Sequence, residues 1–192
     1  SVKENVEEEL NCCLTELNSR SFVGIGEIGI DLYWDKTFFK QQQDAFAMQI
    51  VWAVERNLPF VIHSRNAFEE TFEVLDSVRR SNNNNKFKGI FHCFSGNLTH
   101  AERAIEMGFH LGIGGVVTFK NSGLDKVVEN IDLKHIVLET DAPYLAPNPF
   151  RGKVNMPEYL YYIAEHLAML KQTHVKHIAE VTTQNSIDIF GI

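Results

Sequence analysis

The chain has 192 residues, 44% of them hydrophobic, and a formal net charge of −7. That suffices for one domain with a sizeable core, and the acidity excludes the broad positive footprint of a protein that coats nucleic acid. It does not exclude a nuclease, because bound cations can meet phosphates locally.

Three cysteines, Cys12, Cys13 and Cys93, show no finger-like spacing. A disulfide scaffold is therefore not expected, and a reducing, cytoplasmic setting is. No apolar run approaches the roughly 18 residues of a membrane span, and no signal-peptide pattern opens the chain. The chain starts without methionine and directly in a helical pattern, a first sign that sequence precedes it.

Val2, Val6, Leu10, Cys13, Leu14 and Leu17 recur at helical spacing and predict an amphipathic first helix. The segment SFVGIGEIGID reads as a short apolar strand ending in glycines and two carboxylates. A long outer helix is expected from Thr37 to Arg56, with Phe38, Ala45, Phe46 and Trp52 facing the core. PFVIHS follows as a strand with Pro59 at its start, where proline is tolerated. A helix over Ala67–Arg80 comes next, then a polar loop over Asn82–Asn85. KGIFHCFSG is a third strand and Thr99–Met107 a helix; HLGIGGVVTF is a fourth strand and Ser122–Asn130 a short helix. IVLETDAPYL reads as a fifth strand with a proline-rich exit. Asn155 and Pro157 fit a helix start, as cap and first-turn proline, and two helical faces follow, Tyr159–Leu170 and Val175–Phe190.

Strand then helix, repeated five times, means parallel strands joined by crossovers. Four candidate ligands, Glu27, His63, His92 and Asp141, each follow a short apolar stretch. Residues at the exits of four different parallel strands converge at the mouth of a TIM-type (β/α)8 barrel. No G-x-G-x-x-G opens a helix after the first strand, and GIGEIG places an acid, Glu27, where a pyrophosphate would need bare backbone. Two imidazoles and two carboxylates suit magnesium, manganese or zinc, and a carboxylate can bridge two ions about 3.5–4 Å apart.

Other polar residues fall near these exits. Arg65 has the planar fork for a phosphate oxygen, or it closes an outer salt bridge. Asp31 can orient a ligand histidine, or cap a loop. Ser64 follows His63, and Ser95 and Gly96 suit a tight phosphate-facing turn. Glu139 and Asp141 share one facing by strand alternation, with Asp141 the better candidate for metal and water. His100, His110, His135, His166, His174 and His177 lack such a setting and read as structural or solvent-exposed. Tyr159, Tyr161 and Tyr162 read as packing residues near a helix start, and Phe38 and Phe39 as core or groove lining.

The blocks GEIGIDLYW, FVIHSRNA, FHCFSG, LGIGG, LETDAPYLAP and TTQNSIDIFGI together resemble the TatD family of metal-dependent deoxyribonucleases across essentially the whole chain. The resemblance implies an amidohydrolase-like barrel that uses two divalent ions and hydrolyses DNA as a 3′→5′ exonuclease; a monomer is expected because the sequence shows no obvious oligomerisation surface. It implies that Glu27 bridges the metals, that His63 and His92 hold the second, that Asp141 holds the first and activates water, and that Arg65 lies near the phosphate. The five strands would be the fourth to eighth of the barrel. The family's His-x-His pair is absent from this chain, so roughly 60–70 residues of the domain are expected to precede it. Five strands cannot close a barrel whose geometry is set by eight, and the first metal site would keep only Glu27 and Asp141 as protein ligands, so weak or no hydrolysis is expected from this segment alone. Met156 stands where the family typically has glutamate. The rival readings are a metal-dependent amide or ester hydrolase on the same scaffold, including an aminoacyl-tRNA deacylase, and a non-catalytic relative with a binding role.

Overall fold

The strand and helix periods of the sequence produce five parallel strands alternating with helices. The structure, a computed structural model, describes residues 2–82 and 86–192. Two compact units are distinguished, one up to Gly89 and the other from Ile90 to Gly191.

The first unit contains α1 (Val6–Ser19), β1 (Ile25–Asp31), α2 (Phe39–Glu55), β2 (Phe60–Arg65) and α3 (Phe68–Ser81). β1 and β2 pair in parallel, with Gly29 opposite His63 and Asp31 opposite Arg65. Side chains alternate between the faces of a strand, and here Ile28, Ile30, Phe60, Ile62 and Ser64 are buried on one face. They pack with Phe46, Ile50, Phe72 and Leu75, which are fully enclosed. The opposite face carries Asp31, His63 and Arg65 at half-buried or exposed positions. The register slips by one residue between Ile25 and Ile28, so Glu27 lies on a β-bulge, a device that re-aims a side chain.

α3 carries Glu69 and Glu70 in its first turn and Arg79 and Arg80 in its last, which complements the helix dipole at both ends. Asn82, expected in the following loop, instead donates from Nδ2 to the Val78 carbonyl at 2.9 Å. The rest of that loop lies outside the described residues. α1 has the expected apolar spacing, but none of its residues is fully buried.

The second unit holds the end of β3 (Gly89–Phe91), α4 (Leu98–Glu106), β4 (Phe109–Ile113), α5 (Leu124–Asn130), β5 (Ile136–Leu138), α6 (Leu160–Leu170) and α7 (Val175–Phe190). β4 and β5 are parallel, with Ile113 opposite Leu138. Phe91 and Phe109 meet edge to face, their centroids 5.2 Å apart, a favoured aromatic geometry. Ile90, Val137 and Ile189 form a further apolar cluster. Buried Asn185 on α7 donates to the carbonyls of Leu133 and Ile136 at 3.0 and 2.7 Å, tying the helix to the start of β5. α4 begins with a reciprocal cap: Asn97 Oδ1 accepts from the His100 amide, and His100 Nδ1 accepts from the Asn97 amide. This gives His100 a structural place.

Three expectations need correction. GVVT is not strand but a short 3-10 turn, Gly115–Thr118. A Cβ on Gly115 would come within 2.0 Å of the Leu145 carbonyl oxygen, so a later loop presses on this backbone, and Thr118 Oγ1 closes the turn by donating to the Gly115 carbonyl at 2.7 Å. The fifth strand stops at Leu138: the Glu139 N–H still donates to the Ile113 carbonyl at 3.2 Å, and two residues on Asp141 adopts a left-handed backbone with φ 56°. Asn155 does not cap a helix. It is buried beneath the β5 exit, and the 3-10 turn Pro157–Tyr159 starts one residue later from Met156.

Among the described residues no helix is long and apolar enough to cross a membrane. Two half-buried histidines give the second unit a pH dependence. Burial pushes His110 below its ordinary value, neighbouring His135 adds to this, and the Lys134 backbone and Asp188 only partly oppose it. Burial likewise lowers His166 against Asp125 and the Val117 backbone. A histidine lowered in the fold protonates first in the unfolded chain, so stability falls as pH drops below about 6.5. Urea midpoints measured between pH 8 and 5 should decline, and His110→Asn with His166→Asn should flatten that decline.

Candidate functional site

In the first unit Glu27, Asp31 and His63 line one cleft of about 710 Å³, together with residues of α1 and α2. Glu27 is exposed and lies in the bulged first half of β1 rather than at its exit. His63 Nε2 meets Asp31 Oδ2 at 3.0 Å. With the carboxylate accepting, Nε2 carries the hydrogen and Nδ1 is the nitrogen that can serve a cation. Of the two readings of Asp31, the structure satisfies both: Oδ1 accepts from the Tyr33 amide at 2.9 Å while Oδ2 holds His63. Burial alone would raise the Asp31 carboxyl, but the Tyr33 amide, His63 and Arg65 together keep it below its ordinary value.

Asp31 is fixed from behind by Gln42 on α2, whose side-chain amide accepts from the Asp31 N–H at 2.8 Å and donates to the Asp31 carbonyl at 3.1 Å. Sequence reasoning missed Gln42, since a glutamine on an outer helix carries no signal of its own. Gly29 allows this layout: it sits at φ 142°, and a Cβ there would come within 2.0 Å of the His63 carbonyl oxygen. Arg65 extends over the Tyr33 ring, Cζ 3.8 Å from its centroid. Ser64 faces the other way and bonds Thr71 Oγ1 at 3.1 Å inside the core.

The second unit gathers His92, Cys93, Glu139 and Asp141 just past the ends of β3 and β5. His92 Nδ1 meets Glu139 Oε2 at 2.9 Å, and the other carboxylate oxygen takes the Cys93 amide in a short hydrogen bond. With Nδ1 committed to Glu139, His92 turns Nε2 toward Asp141 Oδ1 at 3.7 Å. That separation exceeds a hydrogen bond and approaches the roughly 3.4 Å between two ligand atoms of one tetrahedral cation. His92 Nε2 and Asp141 are thus spaced to contribute two ligand atoms to a cation, with Glu139 orienting the imidazole. Burial first, then the charges of Glu139 and Asp141, raise the Cys93 thiol far above its ordinary value.

Glu139 is thus the partner that strand alternation placed on the right face but could not assign. Gly112 makes room for it, since a Cβ there would come within 2.6 Å of Glu139 Oε2. Asn155 was missed as well. Its Nδ2 donates to the carbonyls of Thr140 and Tyr144 at 2.7 and 2.6 Å, the two sides of the turn that carries Asp141. Met156, the departure from the family pattern, is 37% exposed, and its amide donates to Asn155 Oδ1 at 2.9 Å. Tyr159 is buried and stacks on Phe150 at 4.1 Å, which is packing as expected. Ser95 is exposed.

Parallel strands alternating with helices, with imidazole–carboxylate pairs on and just beyond them, define an α/β protein of the metal-hydrolase barrel class. The comparisons make this specific: the family model for TatD-related DNases matches residues 1–191, and the chain belongs to that family. It is 38% identical over 192 residues to an uncharacterized metal-dependent hydrolase of Buchnera aphidicola, covering 98% of this chain and 69% of that protein. It is 42% identical over 171 residues to the uncharacterized metal-dependent hydrolase YabD of Bacillus subtilis, covering 88% and 66%. The chain thus spans about two thirds of the length of these curated relatives. The crystal structure of YJJV, a TatD homologue of Escherichia coli, superposes with a TM-score of 0.83 at 31% identity, over 96% of this chain and 70% of that one.

Two variants check this geometry. Glu139→Gln should lower affinity for manganese about 10- to 100-fold in calorimetric titration, the usual effect of losing an orienting carboxylate. Asn155→Ala removes a buried side-chain amide that serves two partly buried carbonyls and should cost about 1–3 kcal/mol in chemical denaturation.

Proposed function

We propose that the protein is a divalent-metal-dependent phosphodiester hydrolase acting on DNA, releasing nucleotides from the 3′ end. Glu27, His63, His92 and Asp141 are its metal ligands. The observation that carries this reading is the repeated imidazole–carboxylate pair. Asp31 orients the His63 ring, and Glu139 orients the His92 ring, whose Nε2 faces Asp141 Oδ1 at 3.7 Å, as carboxylates orient metal-ligating histidines. The family's name supports DNA as the substrate.

Bound divalent ions supply Lewis acidity toward the phosphoryl oxygens and lower the pKa of a water. Asp141, held in its turn by Asn155, orients that water and accepts its proton. Glu27, on its bulge, would supply its carboxylate to hold such an ion. Arg65 presents the planar fork that suits a phosphate oxygen, and the Tyr33 ring beneath it limits its freedom.

The test is nucleotide release from an end-labelled single strand by the protein expressed from its complete gene, with magnesium or manganese and with chelator, beside a panel of carboxylic esters and amides. Metal-dependent release that falls at least about 100-fold in Asp141→Asn supports the reading. Turnover of the ester panel without DNA cleavage replaces it with acyl hydrolysis. No turnover of either in a sample with its ions bound overturns catalysis altogether.

A further inference from the structure

The loop after β1 carries two exposed aromatic rings, Tyr33 beneath Arg65 and its neighbour Trp34, and the hydrolytic reading leaves Trp34 unused. Tyr33 is 48% exposed and Trp34 81%. The rings stand edge to face, centroids 4.6 Å apart at an interplanar angle of 87°. Their backbone is fixed at both ends: Asp31 Oδ1 accepts from the Tyr33 amide at 2.9 Å, and Asp35 Oδ1 accepts from the Thr37 amide at 2.8 Å. Asp31 is also the carboxylate that holds His63. One side chain therefore sets the imidazole and the start of the aromatic pair together.

Arg65 completes the group. Its Cζ lies 3.8 Å from the Tyr33 centroid and 5.9 Å from that of Trp34. The cation thus covers the Tyr33 ring and stands beside the exposed indole. A guanidinium next to a flat, solvent-facing ring is complementary to a nucleotide: the phosphate meets the cation and the base lies on the ring.

We propose that Trp34, braced by Tyr33, is a nucleobase-stacking subsite for the strand whose phosphate lies at Arg65. This rests on the DNA reading above and adds a residue that grips the substrate by a base. Stacking uses the π face that every base shares and not its hydrogen-bonding edge, so the subsite holds the strand without selecting sequence.

The chain has two tryptophans, and Trp52 is only 8% exposed, so a ligand on Trp34 is visible in intrinsic fluorescence. The probes are phosphorothioate octathymidylate and an abasic strand of equal length, titrated in magnesium and again in chelator, with nucleotide release from an ordinary strand assayed in parallel. The expected result is quenching by the base-bearing strand and not by the abasic one, with roughly tenfold tighter binding of the former. Trp34→Ala should abolish that difference and Trp34→Phe restore part of it. Trp34 is too exposed for its replacement to unfold the chain. Equal binding of both strands by the parent protein, or a base preference that survives in Trp34→Ala, overturns the subsite even if DNA is hydrolysed. In the protein expressed from its complete gene, base-dependent quenching without hydrolysis keeps the subsite and removes the nuclease reading. Binding of neither strand overturns both.

Discussion

An imidazole presents a lone pair in one fixed direction only when its other nitrogen is held. His63 and His92 both meet that condition through a carboxylate, Asp31 at 3.0 Å and Glu139 at 2.9 Å. The two bonds use opposite ring nitrogens, Nε2 in His63 and Nδ1 in His92. Much of the surrounding chain is arranged so that these carboxylates cannot wander. Glu139 also takes the Cys93 amide, and Asp31 takes the Tyr33 amide.

The supports are backbone-deep. Gly29 lets β1 approach the His63 carbonyl at a level where any side chain would collide, and Gly112 leaves the space that the Glu139 carboxylate fills. Asn155 is 2% exposed and holds carbonyls on both sides of the Asp141 turn. Asp141 itself sits in the left-handed region, which aspartate tolerates better than most residues. The reactive groups are mobile-length side chains, but the atoms that aim them are main chain, packed strand or buried amide.

Some of this was legible in the sequence. The long periodic helices α2, α3 and α7 fell within a residue or two of their expected bounds, because their apolar stripes are local signals. His63, His92 and Asp141 were legible as candidates because each follows an apolar strand. Other features were not, because they depend on contacts far along the chain. GVVT turns rather than extends since Leu145, thirty residues later, lies against Gly115. Asn155 beside Pro157 has the composition of a helix start, and only the positions of the Thr140 and Tyr144 carbonyls give it another role. Alternation put Glu139 and Asp141 on one face but could not say which of them bonds the imidazole. The bulge at Glu27 left no mark that distinguishes it from a strand end.

Gln42 reaches further than its own hydrogen bonds. Leu32 donates to the Arg65 carbonyl on the β2 side, so the N–H and C=O of Asp31 point away from β2, and the Gln42 amide satisfies both. A side chain here imitates one rung of a neighbouring strand. Any strand that pairs along that side of β1 must therefore stop short of Asp31, because the rung is taken. The sheet is trimmed at the level of the carboxylate, and the space above it stays open to whatever approaches His63.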